Sequence, residues 1–156
     1  GRLAQGHPGG VRLRILKLYR NRVGNGTCES LARLLVAQPE PVEELHLSHN
    51  GIQQRGLAAI LVALAMHPQG AYPRETSTGP VPCWVRVEHN EVAEVGQVLA
   101  ALAAPPVRLR ACLAPRSSNG PSCTSYHCSS EHLDWGSVAH AHLFCVREQA
   151  SSADPR

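Results

Sequence analysis

The feature that most constrains this chain is one phrase of spaced apolar residues and an asparagine, which occurs three times. The copies run over residues 13–23, 42–52 and 82–92, and their asparagines are Asn21, Asn50 and Asn90. The second copy starts 29 residues after the first, and the third starts 40 residues after the second. A phrase that returns at such intervals predicts stacked repeats rather than the strand–helix units of an ordinary α/β domain.

Each copy is followed by apolar residues at helical spacing, and each of these segments ends near a proline. A strand, a turn with asparagine and a helix therefore form the predicted unit. One such unit cannot bury its apolar side alone, whereas stacked units bury it against each other. The predicted helix stripes are Cys28, Leu31, Leu34 and Leu35, then Leu57, Ile60, Leu61 and Leu64, then Val95, Val98, Leu99 and Leu102.

The asparagines are predicted to satisfy backbone groups that lose their partners where each strand ends. An amide side chain both donates and accepts hydrogen bonds. Leucine at the same position would leave buried polar groups unpaired, at about 1–3 kcal/mol each. We therefore expect Asn21, Asn50 and Asn90 to lie in one stacked row.

These phrases resemble leucine-rich repeats of the ribonuclease-inhibitor-like class, with the pattern LxxLxLxxNxI, over roughly residues 11–104. The third copy departs from the pattern, since it has Pro82 and two valines in place of leucines. The resemblance implies an α/β solenoid, a short right-handed βα horseshoe segment with a parallel sheet on its concave face and helices on its convex face. The phrase PVPCWVRVEHN, with the later Cys/His-rich tail, also resembles repeat-containing proteins of dinoflagellates.

The chain is predicted to divide into three regions. Residues 11–114 form the leucine-rich-repeat domain, with three repeats and a degenerate fourth strand around Leu109 that lacks the asparagine. Residues 115–150 form a Cys/His-rich extension, and residues 151–156 form a disordered tail. The longer third interval is rich in Pro, Gly, Ser and Thr and predicts an exposed loop. That loop is either a tolerated insertion or a segment that contacts a partner through Tyr72.

The extension carries residue types that zinc prefers, namely cysteine thiolates and histidine imidazoles. Their spacing matches no defined zinc-finger pattern, so free thiols and a disulfide stay open as alternatives. No other cofactor is predicted. The candidate ligands are Cys123, Cys128, His132 and Cys112.

Alternate side chains of each strand are predicted to face away from the helices, because side chains alternate along a strand. One column of these positions holds Lys17, His46, Arg86 and, if the fourth strand forms, Arg110; another holds Ile15, Glu44, Trp84 and Arg108. The first column is basic or titratable, and could bind an acidic protein or a phosphate backbone, or could be basic by chance. The predicted partner-binding residues are Lys17, Tyr19, Glu44, His46, Trp84, Arg86 and Glu88.

The motifs favour a non-catalytic protein–protein interaction scaffold. No Gly-rich phosphate loop and no GxSxG motif occurs, so the chain is not expected to be an enzyme. The net charge of +3 is below what is typical of a nucleic-acid-binding protein. The alternative is a regulatory or targeting segment of a larger nucleic-acid-handling protein with a zinc-stapled tail.

The remaining expectations concern the setting of the protein. No run of about 18 apolar residues occurs, so no membrane partner is expected. No signal sequence is visible, which favours a cytoplasmic or nuclear location with reduced thiols. Because the chain begins with Gly1 and end repeats usually need polar caps, the natural protein is expected to continue N-terminally.

Overall fold

In its described part, the protein is a mixed α/β molecule with three helices and a parallel sheet. A computed structural model describes residues 12–68, 74–76, 79–81, 83–114 and 140–144. The elements, in chain order, are β1 (Ile15–Lys17), α1 (Asn25–Val36), β2 (Glu44–His46), α2 (Gln54–Ala65), β3 (Arg74–Thr76), β4 (Gly79–Val81), β5 (Cys83–Arg86), α3 (Val95–Ala103), β6 (Arg110–Ala114) and β7 (His140–Phe144).

The main sheet has five parallel strands in the order β1-β2-β5-β7-β6. The strands of the three asparagine-bearing units pair in the register that the repeats predict. Lys17 lies opposite His46, and His46 lies opposite Arg86. Strands β3 and β4 form a separate antiparallel pair within the segment that was expected to be a loop. Tyr72, its predicted contact residue, lies outside the described part of the chain.

The fourth position of the sheet differs from the prediction. β6 was expected beside β5, but β7 lies between them and pairs in parallel with both. In the register of the strands, His142 of β7 lies opposite Trp84, the position where Arg108 had been expected, and Cys112 of β6 lies opposite His142. The main sheet therefore contains residues from both sides of the predicted domain boundary at residue 114.

The core lies between one face of the sheet and the helices. Leu45, Leu47 and Val85 point into it from the strands and are fully buried. The middle helix, α2, packs against both α1 and α3 and is apolar on most of its surface. Leu34, predicted to be in the α1 stripe, is instead 45% exposed. Among the described helices, α1 has a neighbour on one side only.

The first unit is less well covered than the second. Leu16 and Leu18 of the first unit are half-buried, whereas their counterparts Leu45 and Leu47 are fully buried. Each fully buried leucine stabilises the fold by about 1.5–3 kcal/mol relative to an exposed one. The difference follows from position, because β1 is an edge strand among the described strands of the sheet.

No helix in the described ranges is both long enough and apolar enough to span a bilayer.

Candidate functional site: the open face of the sheet

The sheet has a second face, which carries the alternate side chains that do not enter the core. We call it the open face. Three alternate residues of each asparagine-bearing unit, in and just after its strand, form this face. None of its residues belongs to the apolar core cluster. They are Ile15, Lys17 and Tyr19, then Glu44, His46 and Ser48, then Trp84, Arg86 and Glu88.

The turns at the carboxyl ends of the strands are built around the asparagines. Asn50 Oδ1 accepts hydrogen bonds from the backbone N–H groups of Asn21 at 3.0 Å and Val23 at 3.1 Å, both in the preceding unit. Asn50 Nδ2 donates to the carbonyl oxygens of Leu18, Leu47 and Ser48 at 2.9, 3.0 and 3.1 Å. One amide thus satisfies backbone groups of two units, which joins them at the turn.

Asn90 repeats this arrangement one unit further on. Its Oδ1 accepts from the N–H of Ile52 at 3.0 Å, and its Nδ2 donates to the carbonyl oxygens of Leu47 at 2.8 Å and Val87 at 2.9 Å. Asn21 is exposed at the other end of the row, and its Nδ2 donates to the carbonyl of Tyr19 at 3.0 Å. Each asparagine that has a preceding unit therefore bonds to that unit's backbone.

The residue before each asparagine has a left-handed backbone. Arg20, His49 and His89 have φ values of 54°, 55° and 57°. This region is uncommon for residues other than glycine, so its occurrence at the same place in all three units marks a required turn. The three exposed side chains follow one another along the sheet, and the rings of His49 and His89 lie 4.2 Å apart between centroids.

In the second and third units, the basic column predicted from the sequence lies beside carboxylates. His46 Nε2 lies 2.8 Å from Glu44 Oε2, and Arg86 Nε donates to Glu88 Oε1 at 2.9 Å. Lys17 is exposed and has no ion-pair partner among the residues that the structure describes. The sequence already contained this signal, since opposite charges two positions apart on a strand share a face.

Two predicted partner-binding residues are not accessible. Trp84 is only 8% exposed and Glu88 only 6%, so both are buried in this structure. Both are covered although they lie outside the core cluster. Tyr19 and Ile15 of the first unit, in contrast, are 53% and 41% exposed. The accessible part of the open face therefore lies at β1.

The formal charge of the units also decreases from the first unit to the third. Residues 12–40 contain six basic and two acidic side chains, which gives a formal charge of +4. Residues 41–68 contain one basic and two acidic side chains, and residues 83–104 contain one basic and three acidic ones. Within the first unit, Lys17, Arg20 and Arg22 are exposed without an ion-pair partner in the described part. Positive charge and accessible apolar surface thus coincide at β1.

A second contact between units was not predicted. Asn25 Nδ2 donates to Gln53 Oε1 at 3.0 Å, and Gln53 Nε2 donates to Glu91 Oε2 at 3.2 Å. These residues follow Asn21, Asn50 and Asn90 at different distances and differ in type. No periodic signal in the sequence could therefore have revealed them.

The predicted zinc ligands fall largely outside the described residues. Cys123, Cys128 and His132 are not described, and of Cys112 only the backbone position in β6 is known. Cys28 and Cys83 are free thiols buried in the core. Burial, with a smaller contribution from Glu29, raises the pKa of the Cys28 thiol to about 11. No group of three potential ligands occurs among the described side chains.

Comparisons with protein-family models, with curated proteins and with solved structures found no match to this chain. Its functional class therefore has to be inferred from its own units. Those units share a strand, an asparagine turn and a helix, and their open face is accessible at the first of them.

Proposed function

We propose that this chain is a leucine-rich-repeat module of the ribonuclease-inhibitor-like class, and a non-catalytic scaffold that binds a protein on the open, concave face of its sheet. Support for the class comes from the parallel register of β1, β2 and β5 and from the bonds of Asn50 and Asn90 to the preceding unit. A row of amides that joins neighbouring units is what the repeated asparagine phrase predicts on physical grounds.

The observation that carries the binding proposal is the accessible surface at β1. Tyr19 and Ile15 expose large apolar groups on the face opposite the helices, and Lys17 lies between them. Tyrosine and arginine are the residue types that most often dominate protein interfaces, and Arg20 follows Tyr19 directly. This patch therefore has the composition of an interface centre.

The charge distribution favours a protein over a nucleic acid as the partner. A phosphate backbone that follows the open face would need cationic side chains along its path. Glu44 pairs with His46, and Glu88 pairs with Arg86, so the second and third units do not continue the positive surface of the first. A protein contact centred on β1 needs no such continuation.

Site-specific photo-crosslinking tests the proposal. A photoreactive phenylalanine analogue replaces Tyr19 in one variant and Arg33, exposed on α1, in a matched control variant. After illumination in an extract of the source cells, we expect a discrete protein adduct that resists nuclease from the Tyr19 variant only. Equal adducts from both positions, or an adduct that nuclease removes, would contradict binding of a protein on the open face.

A further inference from the structure

On its side away from β2, strand β1 has no hydrogen-bonded neighbour strand among the described residues, and we call this side its free edge. Leu18 and Arg20 donate their N–H groups to the carbonyls of His46 and Ser48. Because successive residues of a strand direct their backbone groups to opposite sides, those of Lys17 and Tyr19 point away from β2. In the described part of the chain no strand pairs with that side of β1. An unpaired strand edge is a template for another extended segment.

The row of asparagine side chains ends at the same edge of the sheet, with Asn21. Asn50 Oδ1 accepts two N–H groups from the unit before it. Asn21 occupies the same position in its own unit, is exposed, and its Oδ1 has no hydrogen-bond donor among the described residues. A segment that ran parallel to β1 would bring its N–H groups to Asn21 Oδ1 as Asn21 and Val23 bring theirs to Asn50.

The surroundings define the chemistry of that segment. Half-buried Leu16 and Leu18 offer apolar contact on the core side. Lys17, Arg20 and Arg22 are exposed and supply positive charge that has no ion-pair partner among the described residues. A second copy of the chain paired edge to edge would place these cations against their own equivalents, which like-charge repulsion disfavours. Charge complementarity selects an acidic occupant.

We infer that the free edge of β1 binds an extended acidic segment of the partner protein as an added parallel strand. Alternate apolar residues of the segment lie against Leu16 and Leu18, its carboxylates lie near Lys17 and Arg20, and its backbone bonds to Asn21 Oδ1. This inference rests on the proposed function and specifies which part of a protein partner the module recognises.

Peptide binding tests the inference. The probe is a labelled synthetic peptide in which leucine and glutamate alternate, with blocked ends, and binding is measured by fluorescence anisotropy. We expect the double variant Lys17→Glu/Arg20→Glu to bind at least about tenfold more weakly, because repulsion replaces attraction. Arg33→Glu, which makes the same kind of charge change on α1, serves as the control and should bind like the parent protein.

Two further measurements separate strand pairing from simple attraction of charges. Asn21→Ala should weaken binding by about threefold to tenfold, the effect of one lost hydrogen bond, while its free energy of unfolding falls by less than about 1 kcal/mol. N-methylation of alternate peptide bonds along one edge of the probe should abolish binding. Undiminished binding of the methylated peptide, or equal binding of a peptide with its leucines and glutamates in separate blocks, overturns the inference.

The remaining outcomes distinguish this inference from the proposal on which it rests. A Tyr19 crosslink to protein together with no binding of the alternating peptide overturns the acidic-strand inference and leaves protein binding intact. Absence of both overturns both. Tighter binding of a single-stranded RNA oligonucleotide than of the peptide, with a steep loss in moderate salt, assigns the β1 surface to phosphates and overturns the inference as well.

Discussion

Asn25, the first residue of α1, and Gln53, the residue before α2, are joined by two hydrogen bonds. Asn25 Nδ2 donates to Gln53 Oε1 at 3.0 Å, and the backbone N–H of Gln53 donates to Asn25 Oδ1 at 3.1 Å. The same oxygen accepts the N–H of Gly56 at 3.0 Å. The start of α2 is therefore held against the start of α1, and the contact leaves little room at residue 56.

Replacement of Gly56 by alanine should destabilise the protein. A Cβ atom at that position would lie 2.6 Å from Asn25 Oδ1 and 3.2 Å from Asn25 Cα. Asn25 Oδ1 cannot move away without loss of its two bonds to α2, so we expect a cost of about 1–3 kcal/mol in the free energy of unfolding. Urea unfolding followed by circular dichroism measures it.

Gly96→Ala is the matched control, because Gly96 also lies near the start of a helix, α3, but a Cβ atom added there would meet nothing within 4 Å. Alanine there should stabilise the protein by about 0.5–1 kcal/mol, as expected for glycine in a helix. Equal effects at the two positions would show that the α1–α2 contact does not constrain residue 56.

Asn50→Ala should cost far more stability than Asn21→Ala. Asn50 makes five hydrogen bonds to the backbone of two units, and its removal leaves partly buried N–H and C=O groups unsatisfied. We expect a loss of about 2–4 kcal/mol. Asn21 is exposed and makes one bond through its side chain, so its loss should remain below about 1 kcal/mol. Urea midpoints of the two variants decide the matter, and similar losses would contradict the amide row as a joint between units.

Arg86→Met should be more damaging than Glu88→Gln. The Glu88 side chain is buried, accepts from Arg86 through Oε1, and has no partner at Oε2 in the described structure. Removal of Arg86 leaves a buried carboxylate without its counter-charge, at a cost of about 2–4 kcal/mol. Removal of the Glu88 charge alone should cost roughly 1 kcal/mol.

The double variant Arg86→Met/Glu88→Gln completes the cycle and should recover part of the loss. Strictly additive unfolding free energies would mean that the two side chains do not act as a pair.

Stability should fall between pH 9 and pH 11 because of Cys28. Burial raises the pKa of this thiol from its ordinary value of 9.0 to about 11. In that window the unfolded chain has already lost the proton that the folded chain retains, so the unfolded state binds fewer protons and the folded state loses stability as pH rises. Once the pH exceeds the pKa of Cys28 in both the unfolded and the folded state, the free energy of unfolding is lower by about 2–3 kcal/mol.

The check on this expectation is the slope of the unfolding free energy against pH in the parent protein and in Cys28→Ala. The alanine variant should be less stable at pH 9 but should lose less of its remaining stability on the way to pH 11. Parallel slopes would mean that other groups account for the alkaline loss.

The repeated phrase was sufficient to predict the units and the pairing of their strands. Local spacing determines which residues of each strand face the core. Alignment of the three copies therefore predicts that Lys17, His46 and Arg86 lie side by side on neighbouring strands, as they do. The helix stripes followed from the same reasoning, except at Leu34, whose exposure depends on which neighbours α1 has.

What the sequence could not predict depends on residues far apart in the chain. The position of β7 next to β5 follows no motif, since the strand of His140–Phe144 carries no asparagine phrase. The burial of Trp84 and Glu88 likewise depends on what covers the open face rather than on their own spacing. The accessible part of the predicted site is therefore its first unit, where Tyr19 and Ile15 are exposed.

The insertion of β7 between β5 and β6 has a consequence for biosynthesis. As the ribosome releases the chain, β6 emerges well before the strand that it pairs with, and it has to wait for His140–Phe144 before its hydrogen bonds can form. The asparagine-bearing units can assemble in order as they appear. Completion of the sheet is thereby delayed until residues 140–144 have emerged, and a product that ends before residue 140 would leave β6 without this neighbour.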